Sequence, residues 1–313
     1  MSKWKILISD TLAENGKSLL QETAEVDDKA GISAEDLLIE IGEYHALIIR
    51  SRTKVTKEIF NAAKKLKVVG RAGIGVDNID LAAAQAKGVT VVNSPTAPTT
   101  SVAEHTLALM LSLVRNITRA DATMKAGQWE KKAFKGTELA AKTLGIIGMG
   151  RIGRAVGRLA RAFDLTVLGH DPLIPEQTIR ERGAEPVSLM DIFTRSDIIT
   201  LHIPLTPETR GLINEQTLTK MKQGVYIVCT ARGGIIDETA LLTHLESGQV
   251  AGAALDVFDQ EPPGLTALVS HPNVIATPHI SAQTAEAQER VSIHIAEEVL
   301  NSLRDEPLRW QIV

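Results

Sequence analysis

The chain alternates short aliphatic runs with helical segments, and this alternation constrains its fold more than any other feature. A first series has aliphatic runs at residues 6–8, 46–49, 68–69 and 89–92, with helical patterns between them. Ser33 and Thr56 stand just before two of these patterns and are residue types that cap helix N-termini. Strands separated by helices pair in parallel through right-handed crossovers, so the first series predicts an open parallel sheet.

A second, longer series of the same kind occupies the C-terminal half. Its aliphatic runs lie at residues 144–147, 166–168, 198–201, 226–229, 252–255 and 274–276. This series predicts a second and larger parallel sheet. The 313 residues are about twice the length of a typical domain, so each sheet has enough chain to bury its own core.

The segments around the second series set the expected domain boundaries. Pro95 and Pro98 restrict their neighbours to extended backbone, so a hinge is expected there. The longest helical pattern, which we predict as one helix, covers residues 101–124, and an irregular polar arm covers residues 127–142. The last helical pattern, residues 284–303, can return to the first sheet. We therefore predict two domains, residues 1–97 with 284–313 and residues 98–283.

Charge and cysteine content exclude several classes of protein. The chain has 34 Lys and Arg against 38 Asp and Glu, a net charge of −4, without a block of like charge that would attract nucleic acid or an anionic membrane. No apolar run reaches the length of about 18 residues that a membrane span needs, and the residues before Asp10 contain no apolar stretch of the length found in signal peptides. The single cysteine, Cys229, cannot form an internal disulfide. We expect a protein of the reducing, cytoplasmic compartment.

A glycine motif opens the second series. Gly148, Gly150 and Gly153 follow the aliphatic run at residues 144–147 and begin a helical pattern. In such a turn the first glycine permits the bend, the second lets the backbone approach a pyrophosphate, and the third lets helix and strand pack closely. Asp171 stands 18 residues after Gly153, near the spacing of a carboxylate that binds ribose hydroxyls. Because this carboxylate would repel a 2′-phosphate, we expect NAD rather than NADP.

The first series contains only part of this motif. Gly73 and Gly75 follow an aliphatic run, but Asn78 stands at the third glycine position and no acid ends the next strand. We therefore expect the first domain to bind the substrate rather than the cofactor.

Three polar residues each follow a strand of the second series. Arg232, Glu261 and His279 come after the runs at 226–229, 252–255 and 274–276. Ligands of open parallel sheets bind at the carboxyl ends of the strands. An Arg can hold a carboxylate bidentately, a His can exchange a proton near neutral pH, and a neighbouring carboxylate can fix the imidazole tautomer. Hydride transfer to or from a 2-hydroxy acid needs these groups, although each one alone could equally be a surface or capping residue.

Other polar residues carry less specific expectations. His202 is expected to line the cofactor path or to bind loop backbone, and Glu104 and His105 are expected to be packing or interface groups. Cys229 is expected in the core, since no activating partner is evident. No His, Cys, Asp or Glu cluster has metal-ligand spacing, so no metal is expected.

Together these motifs resemble those of the D-isomer-specific 2-hydroxyacid dehydrogenases over almost the whole chain. The resemblance is carried by residues 71–80, 148–153 with Asp171, 230–234, 254–262 and 277–279. It implies an α/β fold of two open parallel α/β domains, a Rossmann NAD-binding domain inserted into a flavodoxin-like substrate-binding domain. It also implies that Arg232, Glu261 and His279 are the catalytic residues.

The resemblance further implies two sets of binding residues. The cofactor set is Gly148, Gly150, Arg151, Ile152, Gly153, Asp171, Ile203, Thr230, Ala231, Asp256 and His279, with Asp256 near the nicotinamide amide. The substrate set is Arg50, Ser51, Arg71, Ala72, Gly73, Arg232 and His279. In one departure from the family pattern, Ser281 stands where a glycine is usual, and we expect it to alter local contacts.

The cations of the first domain bear on the identity of the substrate. Arg50 and Arg71 follow two strands, and a phosphate would add about two negative charges that need their own donors. Arg52 and Lys54 are further candidates for this contact. We expect oxidation of 3-phosphoglycerate to 3-phosphohydroxypyruvate, the entry to serine synthesis.

Two alternatives to this reaction stay open. A hydroxypyruvate, glyoxylate or other D-2-hydroxyacid reductase would use the same fold and the same three catalytic residues. An NAD-sensing, corepressor-like binding protein is an alternative of another class. In each case the apolar helix at 101–124 and the arm at 127–142 predict a homodimer.

Overall fold

A computed structural model describes residues 4–313 of the protein. The chain divides into two compact units. Unit 1 contains the residues up to Pro98 together with Ala282–Val313, and unit 2 is Thr99–Ser281. The last part of the chain thus belongs to the same unit as the first.

The strands are short, as parallel strands between helices usually are. In chain order they are β1 (Trp4–Ile8), β2 (Ala24–Asp28), β3 (Ala46–Ile49), β4 (Val68–Arg71), β5 (Thr90–Asn93), β6 (Thr143–Ile147), β7 (Thr166–His170), β8 (Glu185–Pro186), β9 (Ile198–Leu201), β10 (Val225–Cys229), β11 (Val250–Leu255) and β12 (Val274–Ala276).

The helices fill the connections between these strands. They are α1 (Glu14–Gln21), α2 (Ala34–Glu40), α3 (Lys57–Ala62), α4 (Leu81–Ala86), α5 (Thr99–Val114), α6 (Ile117–Lys125), α7 (Arg151–Arg161), α8 (Glu176–Glu181), α9 (Leu189–Arg195), α10 (Glu215–Leu218), α11 (Glu238–Glu246) and α12 (Ala285–Leu303), with short 3₁₀ turns at Ile41–Glu43 and Lys131–Ala133.

The sheet of unit 1 has the order β2-β1-β3-β4-β5, and all its strand pairs are parallel. This is the flavodoxin-like order. Alternate side chains of each strand face opposite layers: Ile6 and Ile8 pack against α12, while Leu7 packs against Leu37 and Phe60 on the other face. Burial on both faces is why these strands appear in the sequence as continuous aliphatic runs.

The sheet of unit 2 has the order β12-β11-β10-β9-β6-β7-β8, again all parallel. Read from β8, the first six strands follow the 3-2-1-4-5-6 order of a dinucleotide-binding sheet, and β12 adds a seventh. The chain order reverses between β6 and β9, which makes this the point where such sheets bind ligands. The predicted fold class is confirmed in both units.

The structure contains two edge strands, β2 and β8, that the sequence analysis does not predict. β2 reads Ala-Glu-Val-Asp-Asp and β8 has only two residues, so neither shows an aliphatic run. Both lie at the edge of their sheets, where one side of the strand faces solvent and charged residues are tolerated.

The prediction of a single helix over residues 101–124 is wrong, since the structure has two helices there. α5 ends at Val114, and Asn116 adopts the left-handed conformation with φ 54° before α6 begins. The backbone N–H of Thr137, in the arm, donates to the carbonyl of Val114 at 2.8 Å and so takes the acceptor that a continuing helix would use. Asparagine tolerates this backbone region better than most residues, which permits the break.

The two expected helix caps differ in outcome. Ser33 caps α2, because its hydroxyl accepts from the N–H of Asp36 at 3.0 Å. Thr56 stands at the N-cap position of α3, but its side chain makes no capping hydrogen bond, so that expectation is wrong. A hydrogen bond from Thr56 instead helps to lower the pKa of Glu58.

Candidate active site

The glycine turn after β6 has the geometry that a bound pyrophosphate needs. Gly148 has φ 94°, and a Cβ there would stand 2.5 Å from the carbonyl oxygen of His202. A Cβ at Gly153 would overlap the carbonyl oxygen of Gly148. At Gly150, by contrast, a Cβ would meet nothing within 4 Å. Gly148 and Gly153 let the turn close, whereas Gly150 leaves open space in front of the helix.

That space lies at the N-terminus of α7, which begins at Arg151 with Gly150 as a cap that offers no side-chain acceptor. The first N–H groups of a helix favour anions such as phosphate. Asp171 follows β7 and accepts hydrogen bonds from the N–H of Met149 at 2.9 Å and of Leu173 at 3.0 Å. The N–H groups at the start of α7 and the Asp171 carboxylate therefore lie at one turn, and these residues fit a dinucleotide, while the predicted contact of Asp171 with ribose stays a prediction.

His202 and Thr230 directly follow β9 and β10. The ring of His202 contacts the hydroxyl of Thr200 at 3.0 Å, and desolvation lowers its pKa to about 3. It is therefore a neutral hydrogen-bonding group at physiological pH. Thr230 is buried, and its hydroxyl meets that of Thr106 in α5 at 3.0 Å, which ties the end of β10 to this helix.

Arg232 stands two residues further along, in a loop held close to the segment after β11. A Cβ at Gly233 would overlap the carbonyl oxygen of Phe258, so only glycine permits this approach. Arg232 Nη1 donates to the carbonyl of Ala231 at 2.6 Å. Burial raises the pKa of the neighbouring Cys229 to about 11, so this thiol stays protonated and belongs to the core, as expected.

His279 and Glu261 form a hydrogen-bonded pair. His279 Nδ1 lies 2.7 Å from Glu261 Oε2, and the two side chains are 43% and 38% exposed, so solutes can reach them. Glu261 Oε1 also accepts from the N–H of Phe258 at 3.1 Å. Burial alone would raise the pKa of Glu261, but the hydrogen bonds from His279 and Phe258 lower it below the ordinary value. An ionised carboxylate here leaves Nε2 of the imidazole free to exchange a proton.

Asp256 directly follows β11 and is fully buried. Its oxygens accept from the hydroxyl of Thr277 at 2.6 Å and from the N–H groups of Ile280 and Ser281, both at 2.9 Å. Burial would raise its pKa, but these donors and His105 lower it. Since protein donors already contact both oxygens, the predicted contact between Asp256 and the nicotinamide stays a prediction. Ser281 contributes its backbone N–H to this network.

In unit 1, Arg50 follows β3 and Arg71 ends β4, so both lie at the carboxyl ends of two neighbouring strands. Desolvation lowers the pKa of Arg50, with the charge of Asp10 opposing the effect. Within residues 4–313 the guanidinium of Arg50 makes no hydrogen bond and no ion pair, although it is more than half buried. Gly73 has φ 143°, and a Cβ there would overlap Nη1 of Arg71, so glycine leaves room for this side chain.

The loop that carries Arg50 is held from two sides. Asp10, nearly buried, accepts from the N–H of Arg50 at 2.7 Å and from both the N–H and the hydroxyl of Thr53. Asn78 Nδ2 donates to the carbonyls of Arg50 and Thr53 at 2.7 and 2.6 Å. Arg52 pairs with Asp10 at 2.9 Å and also donates to the carbonyls of Ser9 and Ile32. Arg52, a candidate for phosphate contact from the sequence, is therefore a structural tie of this loop.

The remaining predicted site residues lie beside these groups. Arg151 and Ile152 begin α7, Ile203 follows β9, Ala231 precedes Arg232, Ser51 follows Arg50, and Ala72 follows Arg71. Their contacts with ligands stay predictions. In residues 4–313 no three His, Cys, Asp or Glu side chains are arranged to hold a metal ion. No helix in that range has both the length and the apolar character to span a membrane.

Sequence reasoning missed four residues that organise the site. The side chains of Asp10, Asn78, Thr277 and His105 each bond to residues far away in the sequence. His105 was expected as a packing or interface group, but its Nε2 lies 3.3 Å from Thr277 Oγ1 and 3.6 Å from Asp256 Oδ1. The only local signal is that Asp10 and Thr277 stand just after the ends of β1 and β12.

Comparison with known proteins agrees with this geometry. The family model described as "D-isomer specific 2-hydroxyacid dehydrogenase, NAD binding domain" matches residues 107–281. The chain is 48% identical over 303 residues to a D-3-phosphoglycerate dehydrogenase of Methanocaldococcus jannaschii, covering 96% of this chain and 58% of that protein. It is 48% identical over 308 residues to a chloroplastic D-3-phosphoglycerate dehydrogenase of Arabidopsis thaliana, covering 98% of this chain and 49% of that protein.

Among solved structures, a glyoxylate reductase from Paecilomyes thermophila superimposes with a TM-score of 0.92 at 31% identity, covering 100% of this chain and 99% of that one. The chain thus spans between about half and three fifths of the curated relatives and nearly all of the solved structure. The NAD-binding fingerprint, the sheet order and these matches agree. The chain belongs to the family of D-isomer specific 2-hydroxyacid dehydrogenases and contains the NAD-binding domain of that family.

Proposed function

We propose that the protein oxidises 3-phosphoglycerate to 3-phosphohydroxypyruvate with NAD, the first step of serine biosynthesis. The observation that carries this choice of substrate is Arg50, a half-buried guanidinium without a hydrogen bond or ion pair in residues 4–313. A buried cation without a partner favours an anionic group on the ligand, and since Arg232 is proposed to hold the carboxylate, Arg50 is assigned to the phosphate. The curated relatives named D-3-phosphoglycerate dehydrogenase support the proposal.

In the proposed reaction, each residue of the catalytic trio has one role. Arg232 holds the substrate carboxylate with its planar guanidinium. Nε2 of His279 takes the proton of the C2 hydroxyl, while Glu261 holds Nδ1 and stabilises the imidazolium that forms. Bound NAD supplies the hydride acceptor. In the reverse direction, protonated His279 returns the proton to the carbonyl oxygen.

The proposed cofactor contacts come from the turn after β6. The N–H groups at the start of α7 receive the pyrophosphate, with Gly150 leaving space for it. Asp171 binds the ribose hydroxyls. Arg151, Ile152, Ile203, Thr230, Ala231 and Asp256 border the cofactor in this proposal. Arg50, Ser51, Arg71, Ala72 and Gly73 contact the substrate.

The test compares initial rates of NAD reduction with 3-phosphoglycerate, glycerate, lactate and 2-hydroxyglutarate. We expect 3-phosphoglycerate to give the highest kcat/KM. Arg50→Ala should weaken apparent affinity for 3-phosphoglycerate about tenfold or more, since a lost charge-assisted contact costs about 1.5–3 kcal/mol. Glycerate, which lacks the phosphate, should respond much less. Lys57→Ala, which removes an exposed cation at the start of the nearby α3, is the control.

Equal losses on glycerate and 3-phosphoglycerate would exclude Arg50 as a phosphate ligand. A hydroxypyruvate or glyoxylate reductase would then be the better proposal, and the structural similarity to a glyoxylate reductase favours it as the second candidate. Absence of turnover with every 2-hydroxy acid, together with NAD binding, would favour an NAD-sensing, corepressor-like role.

The proposal includes a homodimer and a cytoplasmic location. The apolar residues of α5 are largely buried within unit 2. Within the region predicted as an interface, the exposed apolar residues therefore lie on α6 and the arm. Ile117, Met124 and Trp129 are exposed there, Trp129 by 79%. A pocket of about 390 Å³ lies nearby, between α5, the arm and the end of α7. We propose a second copy of the chain as the partner for this surface, in a compartment that keeps Cys229 reduced.

A further inference from the structure

The loop from Thr277 to Ser281 holds His279 in an uncommon backbone conformation. His279 has φ 53°, in the left-handed region that residues other than glycine adopt infrequently, although Asn, Asp and His enter it more often than most. Such a conformation persists only where neighbouring contacts over-determine it. The N–H of His279 donates to the carbonyl of Thr277 at 3.0 Å, which closes a tight turn but does not anchor the turn to the rest of the protein.

Asp256 provides this anchor. Three donors of the loop, the Thr277 hydroxyl and the N–H groups of Ile280 and Ser281, converge on its carboxylate from both sides of His279. The N–H of Thr277 also donates to the carbonyl of Leu255, next to Asp256 in the chain. The position of the imidazole therefore depends on a charge that is 0% exposed.

The direction of the hydrogen bonds assigns a role to His105. Because Asp256 is ionised, the Thr277 hydroxyl must use its only proton to donate to Oδ1, at 2.6 Å. Its oxygen can then only accept from His105 Nε2, at 3.3 Å, so this nitrogen carries a proton. The same nitrogen lies 3.6 Å from Asp256 Oδ1. His105 thus donates to the hydroxyl that in turn donates to the buried carboxylate.

The other charges near Asp256 do not replace this contact. Arg232, after β10, and Asp256, after β11, both act on Cys229, and Asp256 opposes the ionisation of Glu261. Glu261 binds His279 rather than Asp256. Among the described hydrogen bonds of the Asp256 carboxylate and of the Thr277 hydroxyl, His105 is the only titratable donor.

We propose that His105 is a positioning residue: by donating from α5 to the Thr277 hydroxyl, beside the Asp256 carboxylate, it holds the loop of residues 277–281 so that His279 faces its reaction partner. The effect on catalysis rests on the proposed acid–base role of His279, whereas the effect on the loop does not. In this chain of hydrogen bonds, His105 Nε2–H donates to the Thr277 hydroxyl, and the hydroxyl donates to the Asp256 carboxylate.

The first experiment measures hydrogen–deuterium exchange of the protein without substrate. In His105→Leu, the peptide that contains residues 277–281 should exchange about 2–10-fold faster, the effect of one typical net hydrogen bond. His105→Gln, whose amide nitrogen can reach the place of Nε2, should restore slow exchange. Glu104→Gln, an exposed neighbour on the same helix, is the matched control and should not change it.

The second experiment measures turnover of whichever 2-hydroxy acid the protein accepts. His105→Leu should lower kcat about 2–10-fold with KM for NAD unchanged, and His105→Gln should recover most of it. Thr277→Val removes the hydroxyl that links His105 to Asp256. Alone it should lower kcat as His105→Leu does, and in combination with His105→Leu it should lower kcat little further.

Two results would overturn the proposal. One is unchanged exchange of residues 277–281 in both His105→Leu and Thr277→Val. The other is a His105→Gln variant that behaves like His105→Leu, since the donor would then be irrelevant. A protein that turns over no 2-hydroxy acid would contradict the proposed function only, because the exchange experiment needs no substrate.

Discussion

Single buried carboxylates organise the functional loops of both units. Asp10 gathers the backbone N–H groups of the loop that carries Arg50, and Asp256 gathers those of the loop that carries His279. A buried charge is costly unless donors surround it, so each of these acids restricts its loop to the conformations that supply them. The residues that hold the site are therefore different from those that meet the ligand.

At this residue scale, the structure predicts how stability depends on pH near Asp256. Its pKa is lowered in the folded protein, so its contribution is complete above the unfolded value of 3.8 and is lost as the pH falls through the lower folded value. Asp256→Asn should reduce the free energy of unfolding by about 1–3 kcal/mol at neutral pH, because it leaves buried donors without an ionised acceptor.

Denaturant unfolding of both proteins at several pH values checks this. The difference between wild type and variant should stay constant between about pH 5 and 8 and become smaller below about pH 4. A difference that grew on acidification would show that the folded pKa of Asp256 is raised rather than lowered.

Cofactor selectivity also belongs to the residue scale. Asp171 is predicted to bind ribose hydroxyls and to repel a 2′-phosphate, so NAD should bind more tightly than NADP. Asp171→Ala should weaken the binding of NAD about 10–100-fold, because charge-assisted hydrogen bonds are lost. The preference for NAD over NADP should become smaller mainly for this reason. Fluorescence titration with the two cofactors measures it. Equal catalytic efficiency of the wild type with NAD and NADP would contradict the assignment.

At the scale of elements, unit 1 depends on the close contact between α1 and α12. A Cβ at Gly16 would stand 2.5 Å from the carbonyl oxygen of Ser292, and the hydroxyl of Ser292 donates to the carbonyl of Ala13 at 2.8 Å. α12 also buries Glu298, which binds Arg309 and the N–H of Trp310. The last segment then pairs with β5, where the N–H of Ile312 donates to Val91.

This contact makes Gly16→Ala a test of the discontinuous unit. The added methyl group should force the two helices apart and destabilise the protein by about 1–3 kcal/mol, although alanine favours helix more than glycine. Thermal unfolding measures the change. Ser18→Ala, on the exposed side of α1, is the control and should have little effect. A Gly16→Ala variant as stable as wild type would mean that α12 does not pack closely on α1.

At the scale of the whole molecule, the exposed surface on α6 and the arm is the basis of the predicted homodimer. Light scattering at assay concentration should give twice the mass of 33.7 kDa. Replacing Trp129 with Glu should shift the equilibrium towards monomer, because an apolar contact would become a buried charge. Leu173→Glu, which alters an equally exposed apolar residue far along the chain, is the control. A strictly monomeric wild type would refute the prediction.

The sequence by itself determined the two series of parallel strands, the nucleotide-binding turn and the order of the candidate catalytic residues. These features have local causes: strands buried on both faces need aliphatic runs, and a tight turn before a helix needs glycine at Gly148 and Gly153. For the same reason the edge strands β2 and β8, which face solvent, escaped detection.

Only the tertiary structure decided which side chains hold the loops in place. Asp10 meets Arg50 across 40 positions of sequence, and His105 meets Thr277 across 172. The break between α5 and α6 likewise depends on Thr137, a residue of the arm whose N–H donates to the carbonyl of Val114. Such contacts leave no periodic pattern, because a hydrogen bond between distant residues depends on how the chain returns and not on the neighbours of either residue.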